Sequence, residues 1–564
     1  MEKFRQAIAE KLAPLLNMSS EAARALMEVP PNPAWGDIAI PCFSLAKVLR
    51  KAPTAIAADL ANMLDLRGLA DNVEARAGYL NITLEKAAVA RHIMEGILHG
   101  GASFGFTNAG AGKTVVIDFS SPNIAKPFGI GHLRTTVIGH SLSRIYGELG
   151  YRVVRVNHLG DWGTQFGKLI VAYKLLAKDE DLTHDPISTL FKIYVEFHRR
   201  AENQPELLEE ARVWFKRLEA GDDEARSLWQ RFVEVSLKEY QRVYDLLGIE
   251  FDFWLGESYY EPLLASTVAA IEAQGLTTVS EGAVVVDLTE AGMPPCLLRK
   301  TDGATLYATR DIAAALYRDK KHHPELMLYV VGQEQTLHFR QVKQVLLKMG
   351  APAGDKLVHV PFGLFKFPEG KMSTRRGNVI FLEDVLTRAI ELAAAVIHAK
   401  NPELENKLDI AQHVGVGAVV FGDLKHGRIK DVNFDWDEIL NFDGETGPYV
   451  QYTHARACSV LRKAAFDPAL SDEAALTDEH ALPLIKLLGE FPQVVARSAA
   501  EFEPSVVARY VLDVASLFNR YYHHVRIIGE DKDSSRTRLA IVSATQRILA
   551  RGLYLLGVTA VDKM

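Results

Sequence analysis

The sequence predicts an α/β multidomain protein: a doubly wound parallel sheet with insertions forms the central domain, an α+β domain precedes it and an all-α helical bundle follows. Three observations carry this. Residues 114–157 read strand, loop, helix, strand, a βαβ unit that implies a parallel sheet. Two further short apolar runs, 326–331 and 356–360, each give way to a polar loop. Beyond about residue 440 strand patterns vanish and helical spacing takes over.

In chain order, residues 1–110 form the first domain. A helix pattern opens it, and the turn-rich Pro-Pro-Asn-Pro-Ala-Trp-Gly-Asp follows. A second helix carries Leu45, Val48 and Leu49, and 73–84 reads as strands broken at Gly78. Trp35 and Phe43 are assigned to the core, and the Gly-, Ala- and Asn-rich stretch 100–113 to a linker. Residues 111–440 hold the sheet. Thr-Val-Val-Ile-Asp-Phe at 114–119 has the β-branched, unalternating character of a strand covered on both faces. Leu133, Val137, Ile138, Leu142, Ile145, Tyr146 and Leu149 then recur at helical spacing, Gly150 ends that helix, and 151–157 is the next strand. A charged, helical insertion spans about 185–250, and strand patterns resume at 283–288. Residues 326–331 run into Gly-Gln-Glu-Gln-Thr-Leu-His and a helix to Met349; 356–360 leads toward a loop at Lys371. These loops follow strands, where open parallel sheets bind their ligands. Residues 441–564 give helices over 449–466, 482–501, 505–527 and 534–556.

Composition is ordinary for a globular chain of 564 residues, with 48% hydrophobic and 24% charged residues. No apolar run approaches the ~20 residues that span a bilayer, and the amino terminus reads as an amphipathic helix instead of a signal peptide. No membrane partner is expected. Cys42, Cys296 and Cys458 lack paired spacing, which argues against disulfides and a cysteine zinc site and for a cytoplasmic location. The net charge of −7 makes no bulk case for nucleic-acid binding, although phosphate contacts need only a local basic stripe. Lys-His-Gly-Arg-Ile-Lys at 425–430 is such a cluster; alone it reads as a solvated loop.

Two remote loops carry the chemistry. Ser-Ser-Pro-Asn-Ile-Ala-Lys-Pro-Phe-Gly-Ile-Gly-His-Leu-Arg at 120–134 ends at a helix amino terminus, where unpaired N–H groups and the helix dipole favour anions. Gly129 and Gly131 clear space for a nucleotide, His132 can donate to a phosphate oxygen, and Lys126 adds a positive charge. Lys-Met-Ser-Thr-Arg-Arg-Gly at 371–377 offers three cations and two hydroxyls, suited to positioning phosphates and neutralising developing charge. Read singly, the first also fits a plain strand–helix turn and the second an exposed basic loop.

Together they resemble the class I aminoacyl-tRNA synthetases, whose signatures are His-x-Gly-His and Lys-Met-Ser-Lys-Ser. Here these stand as Gly129-Ile130-Gly131-His132 and Lys371-Met372-Ser373-Thr374-Arg375. Ser-Ser-Pro-Asn-Ile-Ala-Lys-Pro (120–127), Asn-His-Leu-Gly-Asp-Trp-Gly-Thr-Gln-Phe-Gly (157–167), Tyr-Ala-Thr-Arg-Asp-Ile-Ala (307–313) and Phe-Asp-Gly-Glu-Thr-Gly-Pro-Tyr-Val-Gln-Tyr (442–452) narrow the resemblance to arginyl-tRNA synthetase over essentially the whole chain.

That resemblance implies a Rossmann-type catalytic domain, a first domain reading the D-loop corner of tRNA and an anticodon-binding last domain. It implies activation of L-arginine with ATP, Mg²⁺ accompanying the nucleotide without an assignable protein ligand, and transfer to arginine tRNA by a monomer. Family members generally need tRNA before they activate arginine. Carried over by position, arginine meets Ser121, Asn123, His132, Tyr307, Asp311 and Gln335. ATP meets Gly129, Gly131, His132, Glu334, Lys371, Met372 and Ser373, with Lys126, His132 and Lys371 catalytic. Transfer RNA meets Tyr79 and Asn81 in the first domain and Tyr449, Tyr452, His454 and Arg456 in the last; the aromatic rings would stack on unpaired bases.

A guanidinium is a planar fork of donors that a carboxylate such as Asp311 matches bidentately; the bland reading of Asp311 is a helix N-cap. Such charge recognition can reject wrong amino acids without an editing domain. Gly129 replaces the first signature His and Thr374 the second signature Lys; Lys126 is the surplus cation that would stand in. A catalytically inactive tRNA-binding relative and a different adenylylating enzyme are the competing readings.

Overall fold

The computed structural model describes residues 2–177, 182, 185–301, 303–366, 380–433, 436, 441, 444–465 and 467–564, and it separates into two compact units. One comprises Met1–Phe104, Ala457–Phe491 and Ser516–Ile548; the other comprises Gly105–Arg456, Pro492–Ala515 and Leu549–Met564.

The first unit contains an antiparallel sheet of β1 (Ile38–Pro41), β2 (Ala70–Arg76) and β3 (Tyr79–Leu84), with β3 central. Ala77 and Gly78 join β2 to β3 with φ of 49° and 86°, the positive values a two-residue hairpin turn of matching twist requires. Helices Glu2–Leu16 and Pro53–Met63 supply Phe4, Ile8, Leu12, Ile56 and Leu60 to a core shared with Ile38, Leu80 and Ile82. The expected helix at Leu45–Leu49 is only Ala46–Leu49, with Val48 exposed; Arg50 turns left-handed and Pro53 starts the next helix instead. Phe43 is not core either: it is 52% exposed and edge-on to Tyr79, at 5.2 Å between ring centroids. Trp35 is half-buried under the Arg76 guanidinium, 5.0 Å away.

The second unit is built on a parallel sheet that runs, edge to edge, Leu357–Phe362, Leu326–Gly332, Thr114–Asp118, Arg152–Asn157, Phe253–Trp254. Its strands are β4 (Thr114–Asp118), β5 (Arg152–Asn157), β6 (Phe253–Trp254), β10 (Leu326–Gly332) and β11 (Leu357–Phe362). Strands β7 (Thr277–Ser280), β8 (Ala283–Val286) and β9 (Cys296–Arg299) form a separate antiparallel sheet. Val115, Val116 and Ile117 are all buried, as both-face coverage requires. The insertion is three helices, Pro186–Ala201, Glu206–Glu219 and Asp223–Leu247. The stretch read as a linker is anchored where it enters this unit: Gly110 donates to Leu149, and a Cβ there would lie 2.1 Å from the Tyr151 ring.

Candidate active site

Strands β4, β5, β10 and β11 end at Asp118, Asn157, Gly332 and Phe362, so the loops that open at 119, 158 and 333 share the carboxyl edge of the sheet with residue 363. The opening loop is strained. Ser120, Ser121 and Ala125 have φ of 74°, 52° and 58°, left-handed values that cost a side-chain-bearing residue about 1–2 kcal/mol each.

The insertion holds it there. Tyr244 Oη shares hydrogen bonds of 2.6 Å with Ser120 Oγ and 3.1 Å with Asn157 Nδ2. The single Tyr240 O–H is shared between the carbonyls of Asn123 and Lys126, 2.6 and 2.8 Å from Oη, and Ser236 Oγ accepts from the Ala125 N–H at 2.9 Å. Burial pushes both tyrosine hydroxyls up, so they remain donors. Nothing in the sequence reading assigned this task to the insertion. Gly160 completes the fit, since a Cβ there would sit 2.3 Å from Asn123 Oδ1.

Lys371, Met372, Ser373 and Thr374 lie outside the described residues, but both flanks of their loop are described. On the following side, Ile130 N–H donates to Ile380 at 3.0 Å, Leu382 N–H donates to Phe128 at 2.9 Å, and Gly129 bridges Phe381. On the preceding side, Arg134 Nη1 donates to the carbonyls of Gly363 and Lys430 at 2.9 and 2.7 Å. Arg134 is buried, and its Nε lies 2.8 Å from Asp423 Oδ1. Burial holds Asp423 up at about 6 against the pull of Arg134, and breaking such a pair by removing one partner costs about 3–5 kcal/mol. The 425–430 cluster is solvated only in part: Ile429 and Lys430 are exposed, whereas Arg428 binds the Pro361 and Phe502 carbonyls and donates its backbone N–H to Glu503.

His132 ends the single 3₁₀ turn Ile130–His132 ahead of helix Leu133–Glu148. Its ring stacks on Phe128 and its Nδ1 lies 3.3 Å from the Gly129 carbonyl. Burial, with Lys126 adding to it and the Gly129 bond opposing, holds the imidazole down at about 4. With Nδ1–H donated to Gly129, the neutral ring leaves Nε2 an acceptor; it becomes the donor expected from the sequence only when protonated. Gly129 is buried and Gly131 exposed.

Close to this loop lies a cluster of acidic side chains. Asp118 Oδ1 accepts from Ser121 Oγ at 3.0 Å, and its Oδ2 pairs with buried Arg318 at 2.7 Å. Asp161 is buried, accepts from Ser258 N–H and Oγ at 2.8 and 2.6 Å, and is held up chiefly by desolvation. Glu257 opens helix Glu257–Ala273, 3.9 Å from Arg310 Nη1. Burial raises it to about 7; Arg310 opposes, and Asp311, Asp161 and Glu261 reinforce. Sequence reasoning missed Asp118 and Glu257, because an acid at a strand end or in a helix's first turn looks like ordinary capping.

Tyr307 and Asp311 stand one turn apart on helix Tyr307–His322, which rules out the N-cap reading of Asp311, since Leu306 is the cap. Tyr307 is exposed, and Asp311 Oδ2 is 2.5 Å from His338 Nε2. Gln335 caps helix Thr336–Lys348, and Glu334 folds back so that its Oε2 would lie 2.6 Å from a Cβ on Gly332. Ser121, Asn123 and Lys126 are half-buried in the opening loop.

Of the residues expected to meet tRNA, Tyr79 is half-buried and Asn81 buried in β3. Tyr449, Tyr452 and Arg456 lie on helix Gly447–Lys463, Tyr452 exposed beneath the Arg456 guanidinium at 4.9 Å. His454 does not fit the stacking role: it is 1% exposed, its Nδ1 is 3.0 Å from the Val561 carbonyl, and it packs the helix inward.

Comparison with known proteins agrees across the chain. Residues 94–436 match the family described as tRNA synthetases class I (R), catalytic domain; 450–564 match the DALR anticodon binding domain, and 2–84 the arginyl tRNA synthetase N terminal domain. Arginine–tRNA ligase of Clostridium perfringens is 47% identical over 564 residues, covering all of both chains. That of Exiguobacterium sp. is 49% identical over 562 residues, covering 100% of this chain and 99% of the relative. The solved Thermus thermophilus arginyl-tRNA synthetase superposes with a TM-score of 0.80 at 27% identity, over 99% of this chain and 100% of that one. From its first helix to its last, the chain belongs to the arginyl-tRNA synthetase family of class I aminoacyl-tRNA synthetases.

Proposed function

We propose that the carboxyl-edge cleft ligates L-arginine to the 3′ end of arginine tRNA in two steps. The arginine carboxylate attacks the α-phosphate of ATP, giving arginyl-adenylate and pyrophosphate; a terminal ribose hydroxyl of the tRNA then takes the arginyl group and releases AMP. The observation that carries this reading is the pairing of residues 128–130 with 380–382, which ties the two signature loops together at their bases close to a cluster of acidic side chains.

Asp311, Tyr307 and Gln335 receive the arginine side chain, with Glu257 as a further acid, while Ser121 and Asn123 hold its α-substituents. His132 and the backbone at Gly129 and Gly131 line the α-phosphate. Glu334 takes the ribose, and Lys126 and Lys371, with Met372 and Ser373, flank the triphosphate. Mg²⁺ arrives with the nucleotide. Residues 1–110, through Tyr79 and not the buried Asn81, read the tRNA corner; 441–564, through Tyr449, Tyr452 and Arg456, read the anticodon loop; 111–440 carry the catalysis. The enzyme works as a cytoplasmic monomer.

Charging of total tRNA with radiolabelled arginine, alongside ATP–pyrophosphate exchange with and without tRNA, tests this. Arginine charging is expected, with exchange near background until tRNA is added. Absence of charging would leave a tRNA-binding relative, and exchange without charging another adenylylating enzyme.

Glu257 gives the reaction a pH signature. Below about pH 7 it holds a proton in the free protein, whereas a bound guanidinium favours the carboxylate, so arginine binding releases that proton. The KM for arginine is expected to fall as pH rises from 6 to 8 and then level. Glu257→Gln should flatten the profile at a several-fold higher KM; an unchanged slope in the variant removes Glu257 from the site. The same raised value means this group's contribution to stability is full below the ordinary carboxylate range and is lost as pH rises through 7.

A further inference from the structure

A second cavity, of about 570 Å³, opens around the carboxyl-terminal half of helix Leu133–Glu148, with Val153 and Arg155 of β5 and Tyr554 also lining it. Three arginines line it against two carboxylates. Two of the arginines are committed. Arg551 Nε donates to Glu148 at 3.0 Å and its guanidinium lies 4.8 Å from the Tyr554 ring centroid, which leaves a base the edge of that ring, and Arg155 is held bidentately by Asp252 at 3.0 and 3.1 Å. Arg144 is different: no carboxylate pairs with it among the described residues. Its Nη1 donates to the Tyr554 carbonyl at 2.6 Å and its guanidinium lies over the Tyr554 ring at 4.4 Å. Burial and the neighbouring Arg155 and Arg551 charges lower its pKa, as expected where positive charge is locally uncompensated.

His140 also lines the cavity, 5% exposed, with neither ring nitrogen hydrogen-bonded. An unpaired buried polar ring is costly unless something meets it. Phe106 and Tyr554, both lining residues, are 46% and 44% exposed, and a Cβ on Gly147 would meet nothing within 4 Å, so the helix surface here is open.

An uncompensated guanidinium, an unsatisfied imidazole and two exposed aromatic rings around one cavity are the components that hold a phosphate and a flat base. The volume lies within the range of small-molecule sites. We propose that this cavity binds a mononucleotide, its phosphate on Arg144 and His140 and its base against Tyr554 and Phe106, separately from the carboxyl-edge cleft.

Titration calorimetry of the full chain with AMP tests this. Two AMP per chain are expected, one in the cleft and one here. Arg144→Ala and Tyr554→Leu should each weaken the second site at least 10-fold, leaving the first site, the arginine-charging rate and the melting temperature in place. Tyr554→Leu keeps the backbone carbonyl that Arg144 uses but removes the ring beneath its guanidinium, so a phosphate titration must separate loss of the base contact from loss of Arg144. Inorganic phosphate should still bind the cavity in Tyr554→Leu and fail to bind it in Arg144→Ala. A single AMP per wild-type chain, or a second AMP undisturbed by both substitutions, overturns the proposal.

Discussion

Replacement of Lys126 by alanine is expected to slow arginyl-adenylate formation by about 10²–10³-fold, the usual loss when one preorganised group facing developing charge is removed. Thr374 offers no charge where the family signature has Lys, and His132 is held neutral by burial. Lys126 supplies charge close enough to lower His132 further. Its backbone is fixed on both sides: Tyr240 holds its carbonyl and Ser236 the N–H of Ala125. The loss should fall on kcat in tRNA-dependent pyrophosphate exchange, with the KM for arginine changed only a few-fold. Lys126→Arg should recover part of the rate. Adenylate formation within a few-fold of wild type in Lys126→Ala would remove the residue from catalysis.

The second large effect is expected on recognition. Asp311→Asn should raise the KM for arginine about 30- to 1,000-fold, from the roughly 2–4 kcal/mol lost when one partner of a desolvated, hydrogen-bonded charge pair is neutralised. In the unliganded protein Asp311 is engaged by His338 at 2.5 Å, so an arginine guanidinium must displace that imidazole. The KM for ATP should be nearly unchanged, which separates lost recognition from a collapsed cleft. If arginine and ATP constants rise together, Asp311 is holding the fold and not the substrate.

Much of this architecture was legible in the sequence because it is local. β4, helix Leu133–Glu148 and β5 follow from two periodicities and one glycine, and most carboxyl-terminal helices from apolar spacing, although the stretch read as one helix over 482–501 is two, Ala481–Leu488 and Phe491–Glu501, and Glu473–Thr477 was not foreseen. What was not legible depends on partners distant in the chain. Tyr240 and Tyr244 do not stand out in the sequence, since nothing in the spacing of a helix marks which hydroxyl will meet a polar partner elsewhere. Asp118 reads as the end of a strand and Glu257 as a dipole-matched first turn; only their convergence with Asp161 and Asp311 turns them into a cluster. Phe43 shows the opposite failure. Apolar residues are not obliged to be inside, so its assignment to the core had no firm basis. His454 was misread because a polar ring on a helix can be satisfied inward by one carbonyl.

The hydroxyl clamp has a consequence for synthesis. Tyr244 lies 124 residues beyond Ser120, and Lys430, which Arg134 needs, lies 296 residues beyond it. At about 5–20 residues per second, the strained loop waits roughly 6–25 s on the ribosome for the hydroxyls that hold it, and longer for the carbonyls that fix the helix behind it. β4 and β5 can pair in that interval, but the loop between them has no reason to leave ordinary backbone geometry. The nascent chain therefore carries a β4–β5 pair with its opening loop still relaxed, and the carboxyl edge is complete only after β10 and β11, beyond residue 326, have been made.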